Sequence, residues 1–385
     1  MKLAIRKAAK PIYVERFIRT DMDTIWKHTQ SPELHEQWDL RFTKIDYLPK
    51  DGDEGSSHLQ HFLYETRIGF GLKIAGTGVS RALSQQDVEC SSKVALQSDI
   101  PGAVQPHSPQ ESAISRLESS NRATGLSFQS DQRISLILQG SGYWKYTATD
   151  EGVIFKTQYD YQTRFGAMGR WFDRCLFRPL FGYATAWSFD LLRIWLEEGI
   201  RPAMIKQRAL IHYGCAALLA LLWIYQGLVP KLLFPGTGEL ALMQDSGWLT
   251  SWLSGGFENG RQSGEASLFA DHAFLLQQVL GFVEIGIGMA TIMLHRRTWL
   301  YRIQGITLTL LPFLAIWGNP MLLAQPFNPV MLSAAMLGLG LFAGMTTRHL
   351  PQASNCFRSN KNEQSYGTAW KGRWNRLWPQ FTNKH

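Results

Sequence analysis

Four long, almost uncharged apolar stretches in the second half of the chain constrain it most: Ala209–Val229, His272–Leu294, Trp299–Gly318 and Pro329–Thr347. A helix of about 20 apolar residues crosses about 30 Å of hydrocarbon. One such run could be a buried helix of a soluble protein. Four in close succession predict an all-α four-helix transmembrane bundle. Whole-chain composition hides this, because 45% hydrophobic residues is ordinary. The average mixes these runs with a charged, strand-rich first half.

Charge gives the runs a direction. The net charge is +8, and the basic residues flank the apolar runs. Arg201, Lys206 and Arg208 precede the first run, and Arg296, Arg297 and Arg302 surround the junction of the second and third. Arg348, Arg358, Lys361, Lys371, Arg373, Arg376 and Lys384 follow the fourth. The first-to-second loop carries Glu239, Asp245, Glu258, Glu265 and Asp271 against Lys231 and Arg261, and Asn319–Asn328 is uncharged. Positive loops stay inside, so both termini are expected in the cytoplasm, with the chain in a bacterial inner membrane. Basic charge beside apolar runs points to lipid headgroups, not nucleic acid. Met1–Lys10 is basic but lacks the apolar core of a signal peptide. Cys90, Cys175, Cys215 and Cys356 have no paired spacing and read as free thiols of a reducing compartment. Residues 348–385 form a basic, Trp-rich cytoplasmic tail. Within it Trp370, Trp374, Leu377, Trp378 and Phe381 recur at helical spacing, either as a headgroup contact or in a disordered tail.

Residues 1–200 read as a soluble α+β domain. Pro11–Ile18 alternates as a strand. Asp21 and Thr20 can cap a helix at Met22–Thr29, and Ser31-Pro32 opens a second one ending near Trp38. Strand patterns follow at Phe42–Tyr47, His61–Arg67, Leu72–Val79, Gly125–Ser130, Ile134–Leu138, Tyr143–Ala148 and Val153–Tyr161. Residues 84–121, rich in Ser, Gln and Glu, read as a flexible insertion. Met168–Glu198 has helical periodicity, with Pro179 expected to kink or interrupt it. Arg178, Asp190 and Arg193 argue against a membrane span there.

Strand, two short helices, antiparallel strands and a long final helix, with Pro32-Glu33-Leu34-His35-Glu36-Gln37-Trp38-Asp39 after the first helix, resemble the START-like or SRPBCC superfamily. The membrane half resembles the DoxX-like family. That likeness spans His212 to Thr347 and rests on the span count, on Tyr225-Gln226-Gly227-Leu228-Val229-Pro230-Lys231-Leu232, and on Gly281–Glu284. The START likeness implies a helix-grip fold with an apolar cavity between sheet and final helix. Candidate liners are Trp38, Phe62, Tyr64, Phe70, Tyr143, Trp144, Tyr159, Tyr161 and Trp187, with His35, Asp39, Arg67 and Arg164 to orient a ligand. The same aromatics could equally fill a plain core.

Glu284 is the sharpest residue of the membrane half, because an unpaired charge is costly there. It is expected either protonated or bonded to Gln304 or Thr307. His212, Tyr225 and Lys231 are the other polar candidates, and Lys231 either snorkels or pairs with Glu239 or Asp271. Gly281, Gly286, Gly288, Gly338, Gly340 and Gly344 suit close helix packing, or the face of a homo-oligomer. No metal spacing, Walker loop, dinucleotide turn or nucleophile motif is present, and no cofactor is identified. Two functions remain open: a membrane-anchored binder of a hydrophobic small molecule or lipid, and a quinone-linked oxidoreductase component, beside a plain scaffold for a membrane complex.

Overall fold

A computed structural model describes residues 10–49, 59–68, 71–83, 121–236, 263–318, 320–324 and 328–358. The chain divides into two compact units, Met1–Ala203 with Pro351–His385, and Met204–Leu350. The insertion expected at 84–121, up to Ser120, and the aromatic stretch of the tail lie outside the described residues.

The first unit runs β1 (Ile12–Ile18), α1 (Met22–Gln30), α2 (Pro32–Trp38), β2 (Lys44–Tyr47), β3 (Leu59–Ile68), β4 (Leu72–Leu83), β5 (Arg122–Gln129), β6 (Ile137–Thr149) and β7 (Gly152–Thr163). It closes with α3 (Gly166–Phe172), a π-helical turn (Asp173–Phe177) and α4 (Arg178–Glu198). The sheet has seven strands in the order β1-β7-β6-β5-β4-β3-β2, and every neighbouring pair is antiparallel. This is the helix-grip arrangement. The two-residue period of β7 sends Val153, Phe155, Thr157, Tyr159 and Tyr161 inward. Phe155 stacks on Phe189 of α4 at 4.3 Å, and Trp38 packs edge-on against both. The Asp21 side chain caps α1 by accepting from Thr24 N at 2.7 Å. Gly199, at φ 68°, ends α4 in the left-handed region.

Two details differ from the sequence reading. Ile137-Leu138 and Tyr143–Ala148 belong to one strand, β6, because Gly140-Ser141-Gly142 is strand and not turn, while Ile134–Leu136 of the expected strand lie before it in turn and irregular backbone. A Cβ on Gly140 would strike the Phe128 ring, and one on Gly142 would strike Tyr159. Glycine here admits close packing across the sheet. The long helix Met168–Glu198 is broken by the π-helical turn just before Pro179, which lacks an N–H and cannot continue a regular α ladder.

The first unit also takes in the chain after the last helix of the second. Glu15 in edge strand β1 pairs with Phe357. The fully buried Asp190 carboxylate accepts from Gln352 N at 2.7 Å, Asn355 Nδ2 at 3.0 Å and Arg193 Nε at 2.8 Å.

Among its described residues the second unit has four α-helices: α5 (Pro202–Gln226), continued by a π-helical segment (Gly227–Leu233), then α6 (Ser263–Leu294), α7 (Thr298–Gly318) and α8 (Pro329–Met345). Among the described residues Pro202–Leu233 and Phe274–Leu294 are long and apolar enough to cross a membrane, and Val330–Met345 is shorter. Trp223, Leu219, Tyr301, Leu308, Met336 and Ala343 form the core. A Cβ on Gly281 would sit 2.9 Å from the Gly227 carbonyl oxygen, and one on Gly288 2.9 Å from that of Ala220. Small residues thus set the approach of the first two helices.

Candidate functional site

The curved sheet and α4 enclose a cavity of about 630 Å³. Close-packed interiors leave few voids larger than a water, whereas small-molecule pockets span about 300–1,000 Å³. Its wall is mostly aromatic and aliphatic: Phe42, Phe62, Tyr64, Leu126, Phe128, Tyr143, Trp144, Tyr159, Phe177 and Phe181. β3 and β5 supply Phe62 and Tyr64, and Leu126 and Phe128, from alternate positions, β6 supplies the consecutive Tyr143 and Trp144, and α4 with the turn before it supplies Phe177, Leu180, Phe181 and Ala184. Polar groups are few and include His35, Arg41, Thr66, Arg67 and Thr157.

Of the expected liners, Phe62, Tyr64, Tyr143, Trp144, Tyr159, His35 and Arg67 face the cavity. Trp38, Tyr161, Arg164 and Trp187 do not. Trp38 is fully buried behind the wall and donates from Nε1 to the His28 carbonyl at 3.0 Å. The Tyr161 hydroxyl donates to Asp173 Oδ1 at 2.7 Å. Arg164 donates to the Ser130 carbonyl. Trp187 is buried on α4. Phe70 lies outside the described residues.

Asp39 also stands behind the wall, and the residue it holds, Arg41, lines the cavity. Arg41 Nη2 donates to Asp39 Oδ2 at 2.6 Å and Nε to Oδ1 at 2.9 Å. His35 Nε2 lies 3.1 Å from Asp39 Oδ2. Burial alone would push the Asp39 carboxyl up. The Arg41 charge, then hydrogen bonds from Arg41 and His35, outweigh it and hold the carboxyl well below its ordinary range. Burial likewise opposes the Arg41 charge, and Asp39 more than restores it. The guanidinium carbon lies 5.4 Å from the Tyr159 ring centroid and 5.5 Å from that of Phe42. Burial pushes the Tyr64 phenol up to about 12 and also raises that of Tyr159, so both remain neutral hydroxyls. The site therefore offers an apolar volume with a buried guanidinium, Arg41, compensated by Asp39, a largely exposed one, Arg67, paired with Glu65, and several neutral hydroxyls. Sequence reading missed Arg41. Its one signal was an arginine two residues after a candidate aspartate in an otherwise apolar stretch.

In the second unit Lys231 Nζ meets Glu284 Oε2 at 2.7 Å, with both side chains largely buried. Glu284 is thus paired with Lys231 and not with Gln304 or Thr307. The Gly227–Gly281 contact sets that register. Gln304 instead accepts from Trp223 Nε1 at 3.0 Å and donates to Thr291 Oγ1 at 2.9 Å, and Thr307 donates to the Ile303 carbonyl. The expected alternatives for Lys231, Glu239 and the Asp271 side chain, lie outside the described residues. His212 is fully buried, with Nδ1 2.9 Å from the Ala343 carbonyl and Nε2 2.9 Å from His295 Nδ1. Tyr225 is exposed. Among the described residues no group of three or more His, Cys, Asp or Glu could hold a metal ion.

Residues 263–341 match the DoxX-like family. This range includes Gly281–Glu284 and excludes Tyr225–Leu232. Among solved structures, a START superfamily protein from Mycobacterium smegmatis is 10% identical, with 50% of this chain and 100% of that one covered and a TM-score of 0.29. The Thermus thermophilus protein TTHA0849 is 10% identical, with 45% and 86% covered and a TM-score of 0.29. The helix-grip assignment rests on the strand order and closing helix, not on these distant likenesses. A curated relative, the uncharacterized membrane protein YndG of Bacillus subtilis (strain 168), is 42% identical over 236 residues, which are 60% of this chain and 75% of that protein. With a helix-grip first unit and a DoxX-like membrane domain, the chain is a membrane protein and belongs to the family of YndG.

Proposed function

We propose that this protein binds a hydrophobic small molecule or lipid in its START-like unit while its DoxX-like helices hold it in the membrane. The observation that carries this reading is the cavity of about 630 Å³ with its predominantly apolar, aromatic wall. An apolar ligand of that size would recover contacts that the wall otherwise lacks. Arg41 and the hydroxyls of Tyr64 and Tyr159 would fix its polar end. The test is uptake of a fluorescent fatty acid by the full chain in detergent. Wild type should bind it saturably. Ala184→Trp, which pushes an indole from α4 into the cavity, should weaken binding at least tenfold. Equal uptake by both, or none by wild type, would count against the reading.

The proposed topology has four crossings, both termini in the cytoplasm and a bacterial inner-membrane location. Loop charge supports it. So does the composition of the first unit, which draws on the chain both before Met204 and after Leu350. A unit built from chain on both sides of the helical unit supports an even number of crossings. The quinone-linked alternative gains nothing from Glu284, whose pairing with Lys231 supports a bridge between helices.

A further inference from the structure

The segment that leads from β7 into α4 carries an apolar ridge that the fold does not bury. Met168 is 76% exposed, Trp171 67%, Leu180 60%, Phe165 55% and Leu176 54%. Side chains of this size at consecutive helical turns, left in water, mark a surface that meets something else. The unpaired exposed charges along the segment are basic, and the half-exposed acid beside it, Asp160 of β7, is paired with Arg178 at 2.9 Å. Arg170 and Arg174 are exposed. The one acid in the segment, Asp173, is 3% exposed and held by Tyr161 and Arg178.

We infer that Phe165–Leu180 is a docking surface for an anionic lipid bilayer, with the aromatic and aliphatic ridge seated among the acyl chains and the two arginines at the phosphates. Bulky apolar side chains interleaved with exposed arginines are what an interfacial helix presents to headgroups. A protein of this kind always has a bilayer within reach. The inner side of the same segment gives the second reason. Phe172, Phe177 and Leu180 also line the cavity, so the element that meets the lipid is itself part of the cavity wall. A hydrophobic ligand could pass between bilayer and cavity there without crossing water. The docking surface stands on exposure and charge alone; only its use as an entry path rests on the proposed ligand binding.

The test uses the full chain in vesicles of phosphatidylethanolamine and phosphatidylglycerol. Native Cys175 is exposed within the segment. It carries a nitroxide after Cys90, Cys215 and Cys356 are replaced by Ser or Ala, so no ridge residue changes. Separate variants that also lack Cys175 carry the label at Met168→Cys, which guards against a local effect, or at Glu151→Cys in the exposed β6–β7 turn, the water reference. Collision with oxygen, relative to a water-soluble nickel complex, should be several-fold higher at positions 168 and 175 than at 151. Ratios equal to the reference would overturn the inference. Labels shielded from both reagents would also overturn it, in favour of a second copy or another part of the chain as the cover. The same depth in pure phosphatidylcholine would remove the role of the arginines. A water-exposed ridge on a chain that still takes up the fatty acid would sink this inference and leave the ligand reading standing.

Discussion

Asp39 is buried with a guanidinium and an imidazole as partners, so its ionised form belongs to the folded state. Its folded pKa lies below the ordinary aspartate value of about 3.9. Its contribution to stability is therefore fully present above that ordinary value and disappears as pH falls through the lower folded one. Asp39→Asn would leave Arg41 buried against a neutral amide and should cost about 3–5 kcal/mol. Urea unfolding of the full chain in mild detergent, followed by tryptophan fluorescence, measures this. Wild type should lose stability on acidification below about pH 4 more steeply than the variant. The Lys231–Glu284 pair obeys the same rule in a drier setting. Lys231→Met or Glu284→Gln alone should lower the thermal midpoint, and the double variant should fall by less than the sum of the two. A simple sum would mean that the two charges act independently. Neither pairing was legible in the sequence. Asp39, Lys231 and Glu284 stood out by residue type, but their partners depend on a turn after α2 and on helix register, which spacing does not encode.

At the scale of elements, local pattern read well where one face is buried and the other wet. β1, β3, β4, β7, α1 and α2 follow from alternation, capping and proline placement. β6 was divided because Gly140 and Gly142 look like a turn until Phe128 and Tyr159 are known to fill the space beside them. The π-helical turn before Pro179 was foreseen only as an interruption. The segment after α8 was assigned to the tail, since nothing along the chain connects Asp190 with Gln352. Hydrogen bonds to a buried charge are worth about 1.5–3 kcal/mol, and Asp190 accepts from both the Gln352 and Asn355 groups. Asp190→Asn should destabilise the first unit by at least that much and expose 351–358 to protease. Unchanged proteolysis would show that the segment contributes little to that unit.

For the whole molecule, the division into a strand-rich first half and an apolar helical second half was legible at once, because length and charge leave few alternatives. The cavity was legible only as an implication of fold resemblance. Aromatic residues fill a core and line a pocket equally well, and of the expected set Trp38, Tyr161 and Trp187 turned out to be packing. The proposed topology predicts that reporters fused at the two ends respond to the same compartment. Opposite compartments would contradict an even number of crossings.

Gentle native mass spectrometry of the full chain, compared with Ala184→Trp, asks most directly whether the volume under α4 is a binding site. Occupancy by hydrophobic molecules near one per wild-type chain, with a sharp drop in the variant, is the expected outcome. A wild-type chain that flies empty, or the same bound species in equal amount on both proteins, would contradict it.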